Sequence, residues 1–317
     1  MKKNLIIFTV LVMFVFTSFI SADDFKGYMI PEYYFVADQN NEDLSEQHGI
    51  WLRRIYFGYN TNLGNGWSAR VRFEMNSPDF EEGTMVPYIK NAHLKKKLKG
   101  GMAFLIGIIE PPSFNKVEKF WELRYIEKTA PDFWKQASSR DFGVALDGKT
   151  KGGIVYTVMY GNYGSNKGED NTGKGVYGRL GYEKKNMYME ANAHFAGDGS
   201  KDKSFFHFFG GLKGGWGRFG IGYSNYMQKE EGKDDFSNGI ISAFGALKIG
   251  RRSEAFIRYD ILNDFNHKDV SGYIPVPAKS DKARMLIAGL NFKVNKNIKF
   301  SPNVKYVHYQ NLSLIHI

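Results

Sequence analysis

The residue groups that look most like chemistry lose that look once their surroundings are read. Gly168–Lys174 spells G-x-x-x-x-G-K, the frame of a phosphate-cradling loop. Such a loop needs a Ser or Thr after its lysine, a strand before it and a helix behind it. Gly175 takes the Ser/Thr place, and the flanks supply neither element. Gly215–Gly220, GWGRFG, matches G-x-G-x-x-G. The following IGYSNYM alternates like a strand, so no helix N-terminus awaits a pyrophosphate. The histidines at 48, 93, 194, 207, 267, 308 and 316 are nowhere paired at metal spacing, and H-E-x-x-H is absent. No G-x-S-x-G elbow occurs. With no cysteine, a disulfide framework and a thiolate metal site are both excluded. The expectation is no catalysed reaction, no cofactor, no metal and no nucleic-acid partner.

What remains is fixed charge, and the chain has an excess of one sign: 43 Lys+Arg against 33 Asp+Glu, formally +10. Its placement depends on the elements that carry it. Residues 1–22 read as a secretory leader. Lys2 and Lys3 form the basic end, Leu5–Phe19 the apolar stretch, and Ser18, Ser21 and Ala22 the small residues at a cleavage site. Past it no run of about 18 apolar residues could form a membrane helix. Aromatics at 16% are too many for a disordered chain.

Period-2 alternation fills the mature chain, residues 23–317. In 67–76, Trp67, Ala69, Val71, Phe73 and Met75 share one face, while Ser68, Arg70, Arg72, Glu74 and Asn76 share the other. Fifteen such segments are expected: 27–37, 50–61, 67–76, 86–97, 102–109, 140–147, 154–162, 175–183, 187–195, 204–212, 218–227, 239–248, 253–262, 283–294 and 298–310. They have the length of tilted membrane strands, about 9–11 residues, rather than the usual 5–6 or so.

The connections sort by parity. Long polar ones (38–49, 77–85, 110–139, 163–174, 196–203, 228–238, 263–282) alternate with short turns (62–66, 98–101, 148–153, 184–186, 213–217, 249–252, 295–297). The short turns hold Lys99, Lys149, Lys151, Lys184, Lys185, Lys213, Arg251, Arg252 and Lys296, and no acid. The first long connection holds Asp38, Glu42, Asp43 and Glu46, and no base. A soluble sandwich has no reason to sort its loops. A barrel threaded from one side of a membrane does, with short turns facing the periplasm and long loops outside. The fold class is therefore all-β, a transmembrane antiparallel barrel of the bacterial outer membrane, in contact with its lipid.

The second face of many strands is too polar for a dry core, as in Tyr188, Glu190, Asn192 and His194. A water-filled lumen, which barrels of about 16 strands enclose, tolerates it. By parity Arg54, Arg70, Arg72 and Arg258 point inward, as do Arg179, Arg218, Lys299 and Lys305. Their acidic counterparts are Glu74, Glu183, Glu190, Glu254 and Asp260, with Arg258 and Asp260 the clearest pair. Connection 110–139 alone carries a helical pattern. Asn115 offers a cap with Glu118 three residues on, and Val117, Phe120, Trp121 and Tyr125 form a stripe. Folded into the lumen, it would bring Lys116, Lys119, Arg124, Lys128 and Lys135, with Arg140 behind them, to the narrowest section. The expected function is passive diffusion of small hydrophilic solutes, anions favoured, with selectivity set by charge at that section. Two other readings stay open: a carrier barrel for sugars or hydrophobic compounds, for which stacked lumen aromatics such as Tyr177 and Tyr188 would speak, and a structural barrel without a pore.

The order of several segments resembles the phosphate-selective porin family (porins O and P) of Gram-negative outer membranes. These are IWLRRIYFGYN (50–60), GWSARVRFEMN (66–76), GIIEPPSF (107–114), ELRYIEK (122–128), SSRDFGVALDG (138–148), IRYDILND (257–264) and IAGLNFKVNKNIKFSPNVKY (287–306). The resemblance implies a trimeric 16-stranded diffusion channel with a basic constriction. The family's G-Q-F-K-x-P step reads Gly107-Ile108-Ile109-Glu110-Pro111-Pro112 here, without its Gln and Lys, so passage of anions or small solutes in general is the expectation. The fifteenth segment runs outward, whereas single-chain bacterial barrels have an even count. The tail NLSLIHI is too short for another strand and lacks a terminal aromatic, so the chain is expected to be truncated.

Overall fold

The computed structural model describes residues 24–37, 45–78, 80, 82–168, 172–263, 269–271, 274–275 and 282–309. The expected leader, most of the first outer connection and the tail after Tyr309 lie outside the described residues. The strands are β1 (Asp24–Phe35), β2 (His48–Gly64), β3 (Trp67–Asn76), β4 (Tyr88–Lys97), β5 (Met102–Ile109), β6 (Asp141–Lys149), β7 (Ile154–Gly161), β8 (Lys174–Lys184) and β9 (Met187–Gly197). They continue as β10 (Lys201–Gly214), β11 (Gly217–Glu230), β12 (Phe236–Lys248), β13 (Ser253–Leu262), β14 (Asp269–Ser271), β15 (Ile274–Pro275), β16 (Ala283–Lys293), β17 (Lys299–Phe300) and β18 (Asn303–Tyr309).

Each of the fifteen expected segments is a strand. One 16-stranded antiparallel sheet runs in chain order from β1 to β13 and on to β16, while β14 and β15 form a small separate hairpin. Both β17 and β18 pair with β16, so they are one arm interrupted at Ser301-Pro302, where proline has no N–H for the ladder. β1 and β18 are the sheet's end strands, and among the described residues they do not pair.

Two of the expected long connections are short. β9 and β10 leave only 198–200 between them, and β11 and β12 leave 231–235. Asp198 Oδ1 accepts from the Ser200 and Lys201 N–H groups at 3.0 and 2.9 Å, which closes a tight turn. The other five outer connections are longer than every inner turn. In the first inner turn Asn65 and Gly66 both have positive φ, 49° and 79°, as a twist-matched two-residue hairpin requires.

The sheet is apolar outside and polar inside. Val71 and Phe73 of β3 are exposed on one face, while Glu74 is buried on the other. Two bulges break this alternation. Ile30 faces Arg54 and Pro31 faces Leu52, so Arg53 is an extra residue and both arginines are buried. Between β3 and β4 the extra residue is Lys90, whose Nζ lies 2.9 Å from Glu74.

Connection 110–140 folds into the lumen. It holds α1 (Asn115–Trp121) and α2 (Ala130–Phe133). The expected Asn115 cap does not form. Phe114 occupies the cap position, and Asn115 Oδ1 instead accepts from Arg179 at 2.6 Å. Glu122 ends α1 in the left-handed region, which turns Tyr125 off the helical stripe. Val117, Phe120, Trp121, Leu123, Ile126, Phe133 and Trp134 pack on the inward faces of β10, β12, β13 and β16, against Phe209, Phe244, Phe256, Met285 and Ile287. Glycines make the trough that receives α1: a Cβ on Gly211 would lie 2.6 Å from the Phe120 ring, and one on Gly220 2.6 Å from Phe244. Gly220 belongs to the G-x-G-x-x-G match, so the reason for that glycine is packing.

The loop also ties the two ends of the sheet together. Glu127 accepts from Arg53 of β2 at 2.8 Å and from Lys305 of β18 at 3.1 Å, and the Ile126 carbonyl accepts from Arg53 at 2.5 Å. Glu127 is 1% exposed, so its replacement takes a buried carboxylate from both Lys305 and Arg53, the latter keeping Glu32 at 3.1 Å. Glu127→Gln is expected to cost about 1.5–3 kcal/mol. Loss of heat-modifiable gel mobility should then begin at lower temperature, and an unchanged transition would show that the clamp contributes nothing.

Candidate functional site

The loop's apolar stripe packs on β10, β12, β13 and β16, and a separate group of inward cations lies on β2 and β3. Gly58 of β2 stands opposite Arg72 of β3, and a Cβ there would lie 3.3 Å from the Arg72 side chain. With no side chain at 58, the Arg72 guanidinium lies over the neighbouring Tyr56, 4.0 Å from the ring centroid and 5.8 Å from that of Tyr28. The two rings are themselves 4.7 Å apart. A cation on a ring face is held without being neutralised. Arg70, two residues earlier on the same face, has no ion pair among the described residues. Its electrostatic neighbours are Glu110, Arg72 and Arg140.

Glu110 is the first residue after β5, and Arg140 the last before β6. They meet at 3.2 Å across the base of the loop. Burial alone would raise the Glu110 carboxyl, but Arg140, Lys119, Arg70 and Arg72 outweigh it and hold it at about 2. One permanently ionised carboxylate therefore sits among four cations, and the cluster keeps an excess of positive charge. Such a cluster in a low-dielectric passage concentrates anions.

The ten expected pore-lining cations divide into two kinds. Arg54 pairs with Glu74 at 3.0 Å, Lys116 with Glu183 at 3.2 Å, Arg124 with Glu118 at 3.0 Å, Arg140 with Glu110, and Arg258 with Asp260 at 2.5 Å. These hold wall to wall or loop to loop. Arg258 also donates to the Lys128 carbonyl, which docks the loop on β13. Arg70, Arg72, Lys119, Lys128 and Lys135 have no carboxylate in ion-pair range among the described residues. Lys119 and Lys135 are exposed. Burial lowers Lys128 to about 8, with Asp132 opposing and Arg54 and Arg124 reinforcing the shift.

Sequence reasoning passed over Tyr28, Tyr56, Arg53, Glu110 and Glu127 as working residues. Arg53 falls on the outward parity and only the bulge turns it in. For the loop's docking wall a signal existed, since β10 is aromatic on both faces, with Phe205 and Phe209 inward and Phe208 outward. Tyr177 and Tyr188 do point inward, but both are buried. Their hydroxyls donate to Asp141 (2.6 Å) and to Glu190, so neither ring is open for stacking. No three His, Asp or Glu side chains converge as metal ligands among the described residues.

No family model and no curated protein sequence matches the chain. Solved structures do resemble it. The outer-membrane expressed OmpT of Vibrio cholerae superposes with a TM-score of 0.65 at 14% identity, over 92% of this chain and 89% of that one. An anion-selective porin from Comamonas acidovorans gives 0.68 at 11% identity, over 91% and 90%. A mutant of the Rh. blastica porin gives 0.55 at 12% identity, over 89% and 93%. These likenesses establish a porin-type barrel fold.

Lys128 makes the charge of the loop dependent on pH. Its charge is present below about pH 8 and is lost as pH rises through that value. The reversal potential in a KCl gradient is expected to shift toward potassium between about pH 7 and pH 9. Lys128→Met should remove that step and Lys128→Arg should flatten it at its low-pH level. A step that survives in Lys128→Met would assign it to another group.

Proposed function

We propose that this chain is an outer-membrane porin that lets small hydrophilic solutes diffuse passively, with anions such as phosphate favoured. The observation that carries the reading is the cluster of Arg70, Arg72, Lys119 and Arg140 around the single carboxylate of Glu110. Of the ten candidate cations, Arg70, Arg72, Lys119, Lys128 and Lys135 supply the field. Arg54, Lys116, Arg124, Arg140 and Arg258 hold the wall and loop that give the opening its shape. No bond is made or broken in this function, and no cofactor takes part. Export by the 1–22 leader, insertion in the bacterial outer membrane and assembly as a homotrimer belong to the same reading. A trimer form is among the V. cholerae OmpT structures that resemble this fold.

The carrier alternative needs open aromatic faces in a row, and the burial of Tyr177 and Tyr188 speaks against it. An arginine fork also suits oxyanions, which it can bind with two hydrogen bonds at once.

The test is a planar-bilayer recording. The parent should conduct and prefer chloride over potassium. Arg70→Glu with Arg72→Glu should shift the reversal potential strongly toward potassium, and Glu110→Gln should move it the other way. Both shifts should shrink at 1 M salt, where the screening length is about 3 Å. Cation preference in the parent would overturn the anion reading, and absence of conductance would favour a barrel without a pore.

A further inference from the structure

The two rims of the barrel treat their cations differently. On the long-loop rim three lysines of the β9–β12 connections are ion-paired, Lys201 with Glu230 at 3.0 Å, Lys229 with Asp235 at 3.0 Å, and Lys233 with Glu230, while Lys167 in the connection before β8 is exposed without one among the described residues. On the short-turn rim Lys149 pairs with Glu183 at 3.0 Å, but Lys99, Lys151, Lys185, Arg251, Arg252 and Lys296 are all exposed, and none of these six has an ion pair among the described residues. No acid lies in those turns. Exposed charge of one sign, repeated around a ring with no acid among it, sums to a positive field that attracts an anionic partner.

The same rim carries a second feature. Leu63, Leu98, Trp216, Ile249, Val294 and Ile298 stand exposed among the cations. Just above them, Lys96 lies 5.2 Å from the Trp67 ring and Lys184 5.6 Å from that of Tyr182. Apolar tips, aromatic rings and long cationic side chains together match the boundary between acyl chains and headgroups, where aromatics form a belt and lysines reach outward. This rim is continuous with the apolar outer face of the sheet, so what touches it is the headgroup layer of the same leaflet.

We propose that the short-turn rim is a phospholipid-binding collar, in which these unpaired cations hold the phosphates of anionic phospholipid in the surrounding leaflet. The collar rests on the membrane-barrel reading but not on the selectivity of the pore. Its ligand is the phosphodiester of a lipid whose chains lie on the adjacent apolar band. It would act as an electrostatic seat that sets the depth of the barrel on the short-turn side. Each basic residue near an anionic surface adds to the attraction, and the attraction falls with salt.

The experiment uses the folded full chain in detergent, mixed with equal amounts of dioleoylphosphatidylglycerol and dioleoylphosphatidylcholine. Retained lipids are counted by native mass spectrometry. Heat-modifiable mobility in the same samples reports barrel formation, and its absence in the parent would sink the barrel reading and the collar with it. With the barrel present, the parent should enrich phosphatidylglycerol, and raising the salt should reduce the enrichment. The variant Lys185→Gln, Arg251→Gln, Arg252→Gln, Lys296→Gln should lose about tenfold of that preference. The outer-rim variant Lys229→Gln, Lys233→Gln should retain it. Equal retention of both lipids by the parent, undiminished enrichment in the inner-rim variant, or an equal loss in the outer-rim variant would overturn the collar. Displacement of the lipid by soluble muropeptides would overturn the choice of lipid as its ligand.

Discussion

The structure depends on the burial of one apolar stripe inside a wet lumen. Lipid offers the outer face of the barrel no hydrophobic gain, because acyl chains are as apolar as the side chains that meet them. Inside, the alternative is water, so the hydrophobic effect acts there at full strength. Trp121, Phe120, Phe133 and Trp134 each gain about 1.5–3 kcal/mol by leaving water, and they do so against Phe209, Phe244 and Phe256. The edge-on contacts of Trp121 with Phe244 and Phe256, centroids 4.9 and 6.2 Å apart, orient the loop as well as hold it. That one-sided burial decides which half of the lumen is core.

Once the loop is seated, its polar backbone needs partners, and the wall supplies them from charged side chains. Trp121 and Lys128 carbonyls accept from Arg218 and Arg258, and the Ser113 carbonyl accepts from Asn192 at 2.9 Å. Arginines that looked like selectivity elements are in this way spent on anchorage. Their charges are met by Glu254 and Asp260, so they add little to the field. In the proposed pore, charge that reaches a passing solute comes from residues held by something other than a carboxylate. Tyr56 does this for Arg72, because a ring face fixes a guanidinium and leaves its charge intact.

The position of Glu110 ties the two themes together. The loop leaves β5 through Glu110-Pro111-Pro112 and returns through Arg140, and the 3.2 Å pair between them closes its base. The same carboxylate lies amid the basic cluster and offsets part of it. In the proposed pore a glutamate here trades some anion attraction for a fixed loop mouth, where the family step that this segment resembles has lysine.

How much of this was legible in the residues differs from layer to layer. Alternation in segments such as 67–76 gave every strand of the sheet, because the period of two is a local property of an extended chain. The inward loop was legible too, since Val117, Phe120 and Trp121 recur at helical spacing in a connection too long for a turn. Two of the long connections shortened once strands β9–β12 were laddered, since polar residues at strand ends serve equally as loop or as rim. The identity of the inward bases followed from parity wherever parity held. Of their pairings only Arg258 with Asp260, two apart on one strand, could be read from the sequence, because a pairing such as Arg53 with Glu127, or Arg258 with the Lys128 carbonyl, joins residues far apart in the chain. Nor could it foresee the bulge at Arg53, where one extra residue reverses the face of its neighbours. Local periodicity determined the barrel, the polar interior and the sign of the charge. Tertiary packing alone decided which charges stay open, because that depends on where one long loop finds its apolar seat.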